Sequence, residues 1–343
     1  MFAKEILFFL IFSPLFVDAI IGGEYVTNPH EYPWMVNVKS FSNVSSPTSC
    51  GGVIISGNMI LTAAHCVEHG WHEYSIFGNR HYTEFVDVVA HVRIGHSSLD
   101  HTIAIRVKSK LIHPKYFENP WQINKNETYD IALLLLSENL KFNTEIQPIA
   151  LPDEEDFNET NYLDKSRSRF MVAGWGSTFD VPKDFYRLVK SGKWTVHKSK
   201  IPKEKYLKYC GFSKYGEVKE FWKCEDNLKL MSPRALKVTE VDYIHDKKEK
   251  NSIVIRAMSD KPYIPGICKG DSGGPLMKLD VTSGKYEVVG IVSYTPVDGK
   301  TGMQGPLGCL VPMPAIYTRV SAFIPWIKKN MKKASKFMLL RYQ

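Results

Sequence analysis

One serine lies in a glycine-rich stretch near the C-terminal third of the chain, where residues 266–275 read GICKGDSGGP. Glycine adopts backbone angles that are closed to other residues and lets a ligand approach the main chain. Ser272 is therefore predicted to lie on a tight turn with backbone N–H groups beside its hydroxyl. Acyl transfer needs these two features, an oxygen nucleophile and donors for the oxyanion that forms at the attacked carbonyl. For a short Gly-Ser motif taken alone, a surface loop is the alternative.

Two further motifs supply a base and a carboxylate. Residues 62–66 read TAAHC and contain His65, and residues 129–133 read YDIAL and contain Asp130. With these motifs in the order His, Asp, Ser, the chain resembles the trypsin/chymotrypsin-like serine proteases. The resemblance implies that Ser272 is the nucleophile, that His65 takes and returns its proton, and that Asp130 orients the imidazole. It also implies an oxyanion hole formed by the N–H groups of Gly270 and Ser272, with no cofactor or metal.

Strand-like runs rich in β-branched and aromatic residues recur along the chain, separated by Gly, Pro, Asn or Ser. They are predicted at residues 34–39, 52–55, 59–61, 103–107, 131–135, 170–173, 288–293 and 316–320. Long helices are scarce before the end, which favours an all-β sandwich or barrel. The resemblance narrows this to two six-stranded antiparallel β-barrels with the active site between them, followed by a short C-terminal helix.

The resemblance covers residues 20–330 as one protease domain and leaves residues 331–343 as a basic C-terminal extension. Two segments are longer than in a compact member, about 68–128 and 211–252. The second is either a tolerated surface insertion or a loop that grips a substrate or partner. Near the C-terminus, apolar residues at helical spacing alternate with lysines. This pattern indicates either a longer helix packed on the second barrel or a basic patch for acidic glycans or a membrane surface.

Composition excludes several classes of protein. The chain has 343 residues, of which 44% are hydrophobic and 23% charged, as is usual for a globular rather than a disordered protein. The net charge of +8 affects solubility and nonspecific attraction, not fold. No nucleic-acid-binding module and no zinc-ligand spacing is present in the sequence. The expected partners are protein or peptide substrates, with protein inhibitors as further candidates, and the protein is expected to be a monomer.

The first 19 residues have the features of a secretory signal peptide: a charged start, a short apolar run and small residues before a cut. The apolar run is too short to span a bilayer, so no transmembrane segment is expected. Cleavage after Ala19 would expose Ile20, and cleavage after Val17 is the alternative. The protein is therefore expected to be secreted and extracellular.

Six cysteines in a secreted chain allow up to three disulfides. The resemblance implies two of them, Cys50 with Cys66 and Cys268 with Cys309. This leaves Cys210 to pair with Cys224. Three N-x-S/T sequons lie in polar stretches and are candidate glycosylation sites. They are Asn43, Asn126 and Asn158.

The resemblance also assigns a primary specificity pocket. Gly266 lies six residues before Ser272, where an acidic residue would select Lys or Arg, so cleavage after basic residues is not expected. Ile267 would lie beside it, Lys269 at the pocket mouth, and Thr295 and Ala315 at wall positions that are normally glycine. The pocket is predicted to be narrow and apolar, like that of elastase-type members, and to accept small or medium apolar residues.

In this family a new N-terminal Ile pairs its α-amino group with the Asp before the nucleophile. The resemblance implies that Ile20 and Asp271 form this activation pair, so that removal of the signal peptide would itself activate the enzyme. Two functions remain open. One is an active secreted serine endopeptidase that works through an acyl-enzyme, and the other is a catalytically weak or inactive protease-like binding protein.

Overall fold

The computed structural model describes residues 20, 23–41, 48–68, 70–76, 79–86, 89–117, 129–153, 166–176, 178–179, 230–231, 234–244, 254–258, 266–294 and 314–339. The strands of the first half are β1 (Glu24–Tyr25), β2 (Met35–Phe41), β3 (Thr48–Ser56), β4 (Met59–Thr62), β5 (Gly70–Ile76), β6 (Asn79–Val86), β7 (Val89–Ile94), β8 (Ile103–Ile112) and β9 (Ala132–Leu136). Those of the second half are β10 (Ser168–Gly174), β11 (Thr178–Phe179), β12 (Leu230–Met231), β13 (Lys237–Ile244), β14 (Val254–Met258), β15 (Pro275–Asp280), β16 (Tyr286–Tyr294) and β17 (Ala315–Arg319). Helix α1 (Ile324–Leu339) follows them.

The first barrel is a closed ring of six antiparallel strands in the order β2-β3-β4-β9-β8-β7. Its strands carry branched apolar side chains, which suit a pleated, half-buried surface. Strand β4 and the first three residues of β9 are completely covered, because these strands lie between two neighbours and against the core. Strand β4 ends at Thr62, three residues before His65, and β9 begins at Ala132, two residues after Asp130.

The second barrel contains β10, β13, β14, β15, β16 and β17, and the pairing of β13 with β14 closes the ring. Every neighbouring pair is antiparallel. Strand β1, close to the N-terminus, adds to the edge of β13. The predicted all-β fold of two six-stranded antiparallel barrels is therefore confirmed, and each predicted strand-like run overlaps one of the strands found.

The predicted insertion at 211–252 is wrong in its C-terminal part. Residues 237–244 form β13, which pairs with β10 and β14 inside the second barrel. Its inward positions are Lys237, Thr239 and Val241, and only one of them is apolar. A strand that buries a lysine and a threonine has no apolar alternation, so the sequence pattern resembled that of a polar loop.

Two other segments refine the predicted domain boundaries. Strands β5 and β6 pair only with each other, as a hairpin within the predicted insertion at 68–128. At the other end, residue 330 is not a boundary, because α1 continues through it and Ala334 is buried in the main core cluster. Trp326 and Phe323, at the start of this helical end, contact the ring of His113 from the first half of the chain. Within the described residues, no helix combines the length and apolar character needed to cross a membrane.

Candidate active site

His65 and Asp130 meet at the end of the first barrel. The Nδ1 atom of His65 lies 2.7 Å from Oδ2 of Asp130, and the backbone N–H of His65 donates to Oδ1 at 2.9 Å. The two contacts fix both the position and the ring orientation of the histidine. The side chain of His65 is 31% exposed, whereas that of Asp130 is 4% exposed. The imidazole therefore has one edge on the buried carboxylate, and its Nε2 atom, on the partly exposed side, lies 3.7 Å from Sγ of Cys66.

Asp130 remains an ionised acceptor in spite of its burial. Burial acts to raise the pKa of Asp130, but the hydrogen bond and charge of His65, together with the hydroxyl of Ser293, bring that pKa below its usual value. Ser293 on β16 donates to Oδ2 at 2.6 Å, and Thr318 on β17 donates to the Asp130 backbone carbonyl at 2.9 Å. Two strands of the second barrel thus hold Asp130, one at its carboxylate and the other at its backbone carbonyl.

The loop that carries His65 is braced by a disulfide. Residues 64–66 form a single 3-10 turn after β4, and Cys66 is bonded to Cys50 on β3 with a Cα–Cα distance of 6.1 Å. The predicted pairing of these two cysteines is therefore present. Ligand atoms of Cys50, His65 and Cys66 lie within 4.8 Å of one another. Because the two sulfurs are joined, this cluster offers no thiolate to a metal ion.

The loop that carries Ser272 is a tight turn. Gly270 and Gly273, on either side of Ser272, have φ values of +98° and +77°, which favour glycine. The backbone N–H of Asp271 donates to the carbonyl of Cys268, and the backbone N–H of Gly274 donates to the carbonyl of Asp271. Within the described part of the chain, the N–H groups of Gly270 and Ser272 donate no hydrogen bond. Two donors beside a partly exposed serine are thus left for a ligand.

The Ser272 loop lies directly against the motif that contains His65. The backbone carbonyl of Ser272 accepts a 2.7 Å hydrogen bond from Gly51 on β3. A Cβ atom added to Gly273 would lie 2.3 Å from Oγ1 of Thr62, and one added to Gly51 would lie 2.7 Å from Cα of Gly274. Glycine is therefore required on both sides of this contact. It places the loop of the predicted nucleophile against Thr62, three residues before the predicted base His65.

Asp271 is a buried carboxylate in a cradle of glycines. Its carboxyl oxygens accept hydrogen bonds from the backbone N–H of Gly176 at 2.7 Å and from that of Cys268 at 2.9 Å. A Cβ atom on Gly174 or Gly176 would lie within 2.3 Å of its carboxyl group. Burial raises the pKa of Asp271 to about 7, although the two backbone hydrogen bonds act in the opposite direction. The ionised form is therefore unfavourable here without an opposite charge.

Ile20 is fully buried in the core cluster of the second barrel. It has a φ of +35°, which is unusual for a β-branched residue. The backbone N–H of Gly23 donates to its carbonyl at 2.7 Å. Tyr317 belongs to the same cluster, and its pKa is raised by burial and by the charge of Asp271. Ile20 is therefore part of the core cluster that Asp271 borders through Tyr317.

The predicted pocket residues fall in two groups. Ile267 and Ala315 are buried in the second-barrel cluster. Gly266 and Lys269 are more open: Gly266 is half-buried with no heavy atom within 4 Å of an added Cβ, and Lys269 is exposed. Among the described residues, those predicted for the pocket are therefore apolar apart from Lys269, and none of them is acidic. Thr295 lies outside the described residues.

Other predicted residues also fall outside the described ranges. Cys268 is disulfide-bonded, but its predicted partner lies in an undescribed segment. The residues concerned are Cys309, Cys210, Cys224, Asn43, Asn126 and Asn158.

Several residues at this site were not found by sequence reasoning. Ser293 is predicted only as the last residue of a strand-like run, and neither Gly51 nor Thr318 is predicted as a site residue. The available signal for Ser293 was a hydroxyl at the end of an otherwise apolar run, residues 288–293. Gly51 follows a cysteine that was predicted to form a disulfide, but only the packed structure shows which loop it contacts.

Comparisons with known proteins bear on the family and the fold of the chain. The family model described as Trypsin matches residues 20–196 and 195–327. The chain is 28% identical to the clotting factor G beta subunit of Tachypleus tridentatus, over 93% of this chain and 81% of that protein. It is 28% identical to granzyme B of Rattus norvegicus, over 92% of each. The solved structure of neuropsin, titled a serine protease expressed in the limbic system of mouse brain, aligns with a TM-score of 0.53 and 22% identity, over 91% of this chain and 100% of that chain.

Proposed function

The chain belongs to the trypsin family, and from that premise we propose that it is a serine endopeptidase with Ser272, His65 and Asp130 as its catalytic residues. The observation that carries the proposal is the two-point contact of His65 with the buried Asp130, together with the Ser272 loop packed against the His65 motif. A histidine oriented by a carboxylate is a general base, and a serine on a tight turn is the nucleophile it can activate.

The mechanism follows from these contacts. Ser272 Oγ attacks the substrate carbonyl while His65 takes its proton through the ring nitrogen that does not face Asp130. The carboxylate stabilises the imidazolium and holds its tautomer. The N–H groups of Gly270 and Ser272 donate to the oxyanion, since no described acceptor competes for them. The imidazolium then protonates the leaving amine, and water repeats the sequence to release the acyl group from Ser272.

A fluorophosphonate probe on the secreted protein tests this proposal. Labelling of Ser272 is expected, with no labelling of Ser272→Ala and strongly reduced labelling of His65→Ala. The second candidate function is a protease-like binding protein, and it is kept because two residues of the predicted pocket, Ile267 and Ala315, are nearly covered. A correctly processed protein that fails to label would favour that function.

For substrate preference, we propose cleavage after small or medium apolar residues. Gly266 provides no carboxylate, and the neighbouring Ile267 and Ala315 are apolar and buried. Removal of one or two methylene groups in such a pocket changes discrimination by about 1–3 kcal/mol. Lys269 is exposed and would disfavour basic residues only weakly.

For maturation, we propose that the chain is secreted and that a cut after Ala19 activates it directly. The φ angle of Ile20 exists only while Ala19 is attached, so this cut removes the left-handed conformation of Ile20, which costs on the order of 1–3 kcal/mol. The freed α-ammonium would supply the opposite charge that the buried Asp271 needs. N-terminal sequencing of freshly secreted protein tests this: Ile20 first supports it, and Asp18 first with no activity until trimming contradicts it.

For a further partner, we propose weak binding of acidic glycans by helix α1. The helix sequence, IPWIKKNMKKASKFML, contains no acidic residue. Lys328, Lys329, Lys332 and Lys333 are exposed, whereas Ile327 and Ala334 are buried. The basic side chains thus lie on the solvent face while the apolar ones pack inward, and the opposite charge of a sulfated or carboxylated glycan would complement them.

A further inference from the structure

A completely buried lysine lies beside the N-terminal segment. Lys237, the first residue of β13, has 0% of its surface exposed. Its ammonium group donates to the backbone carbonyl of Gly23 at 3.0 Å and lies 4.4 Å from the centre of the Tyr25 ring. Burial of an ammonium ion is costly unless hydrogen bonds and opposite charge or an aromatic face compensate for it. A lysine held at this cost needs an explanation beyond barrel packing.

These two partners of Lys237 belong to the segment that follows Ile20. Tyr25 is opposite Lys237 in the pairing of β1 with β13, so the side-chain contact reinforces a short strand pair of only two residues. Gly23 is packed closely: an added Cβ would lie 2.9 Å from the carbonyl oxygen of Val238 and 3.2 Å from the Cβ of Ile20. The N–H of Gly23 donates to the carbonyl of Ile20. Lys237 is therefore two hydrogen bonds away from Ile20.

Lys237 also lies next to one of the glycines packed around the carboxyl group of Asp271. Lys237 pairs with Gly174 across β13 and β10, and Gly174 is the glycine whose added Cβ would lie 2.0 Å from Oδ1 of Asp271. Lys237 thus contacts a neighbour of each member of the proposed activation pair. Gly174 lies beside Asp271, and Gly23 lies beside Ile20. Its ammonium is directed to the N-terminal segment, where it holds a backbone carbonyl.

We propose that Lys237 is a positioning residue that holds Gly23 and Tyr25 on strand β13 and thereby keeps the Ile20 α-amino group at Asp271. This inference rests on the proposed function, because it gives the activation pair a third member. Strand β1 contributes two backbone pairs, and the N–H of Val26 donates to the carbonyl of Leu236, which is a short attachment for a chain end. The ammonium of Lys237 adds a side-chain anchor to it, and Asp271 then holds the Ser272 loop in its active form.

The test uses Lys237→Met, which keeps the volume and removes the charge and donor, and Lys237→Arg, which keeps both. Lys278→Met is the matched control, since Lys278 is also largely covered and lies in the same barrel, but pairs with Glu287. Hydrogen exchange of the backbone amides at Gly23 and Val26 reports the attachment of the segment without requiring activity. Exchange should be about tenfold faster in Lys237→Met, and close to wild type in Lys237→Arg and Lys278→Met.

A second readout is the alkaline limb of the kcat/KM profile. Deprotonation of the Ile20 α-amino group breaks its pair with Asp271, and weaker attachment lets its apparent pKa fall toward the ordinary value of about 8. The alkaline limb should shift to lower pH by about one unit in Lys237→Met and should return to its wild-type position in Lys237→Arg. A general loss of stability would not move this limb.

Two results would overturn the proposal. One is unchanged exchange at Gly23 and Val26 in a folded Lys237→Met protein. The other is equal acceleration throughout both barrels, which would make Lys237 a packing residue only. If Lys237→Met does not fold, Tyr25→Leu removes the aromatic face alone and must give the same local effect. An unlabelled wild-type Ser272 would refute the proposed protease activity, whereas the exchange experiment would still decide the role of Lys237.

Discussion

Ser293 and Asp130 lie on different barrels, and the hydroxyl of Ser293 donates a 2.6 Å hydrogen bond to Oδ2 of Asp130. The same carboxylate oxygen is 2.7 Å from Nδ1 of His65. The second barrel thus fixes the rotamer of the carboxylate that orients the histidine of the first. This contact couples the relative placement of the barrels to the basicity of His65.

Removal of the Ser293 hydroxyl should therefore reduce catalysis. A hydrogen bond to a charged group contributes about 1.5–3 kcal/mol, so kcat/KM of Ser293→Ala should fall by about 10- to 100-fold. Ser168→Ala is the control, because Ser168 is equally buried but is the first residue of β10, opposite Asp280. Steady-state kinetics on a peptide substrate measure both, and equal activity of Ser293→Ala and wild type would contradict the role assigned to this contact.

The three proposed catalytic residues should act as a unit. Ser272→Ala, His65→Ala and Asp130→Asn should each lower kcat by several orders of magnitude. The double variant Ser272→Ala/His65→Ala should be little worse than either single variant, since neither group works without the other. Additive losses in the double variant would show that the residues act independently and would remove the basis for the assignment.

Asp271 should make the stability of the uncleaved chain dependent on pH. The pKa of Asp271 is raised by burial from its ordinary value of 3.8 to about 7. Between about pH 4 and pH 7 the unfolded chain has lost this proton while the folded chain retains it, so the free energy of unfolding falls as pH rises through this window. The loss should be on the order of 3 kcal/mol. Denaturant unfolding of the wild type and of Asp271→Asn at pH 5 and pH 8 measures it.

Asp271→Asn has no charge to bury, so the fall should be absent from it. The control is Asp280→Asn, because Asp280 is exposed at the end of β15. The same fall in wild type and Asp271→Asn would assign the pH dependence to other groups. The mature protein should show a smaller fall than the uncleaved chain if the Ile20 ammonium pairs with Asp271.

Widening the predicted pocket should broaden substrate acceptance. On a peptide library, wild type should cleave after Ala, Val or Leu, and Ile267→Ala or Ala315→Gly should extend cleavage toward Phe and Tyr. The change in relative kcat/KM should be graded, about 10- to 200-fold, as expected for methylene-sized differences. A wild-type preference for Lys or Arg at the cleaved position would refute the pocket assignment.

Neutralisation of the exposed lysines on α1 should weaken binding to a sulfated glycan. Lys328→Gln/Lys332→Gln should elute from a heparin column at lower salt than the wild type, because charge–charge attraction between exposed groups is screened by salt. Lys278→Gln is the control, since this lysine is largely covered on β15. Equal elution of all three proteins would exclude α1 as the binding surface.

The sequence alone determined the parts of the protein that depend on local chemistry. The residues around Ser272, His65 and Asp130 identified a family, because acyl transfer requires a flexible turn, a base and a carboxylate in separate short motifs. The apolar runs at residues 52–55 and 131–135 identified barrel strands, since β-branched and aliphatic side chains at these spacings suit a covered sheet. The family resemblance then gave the two barrels and the pairing of Cys50 with Cys66.

Only the tertiary structure decided which groups meet across the barrels. Lys237 on β13 looks like a residue of a polar loop, and its burial is understandable only when Gly23 and Tyr25 lie opposite it. Ser293 becomes a partner of Asp130 because two strands distant in sequence approach at the barrel contact. Gly51 must be glycine because Gly274 lies 2.7 Å from where its Cβ would be. These contacts depend on distance in space rather than spacing in the chain, so no local sequence pattern encodes them.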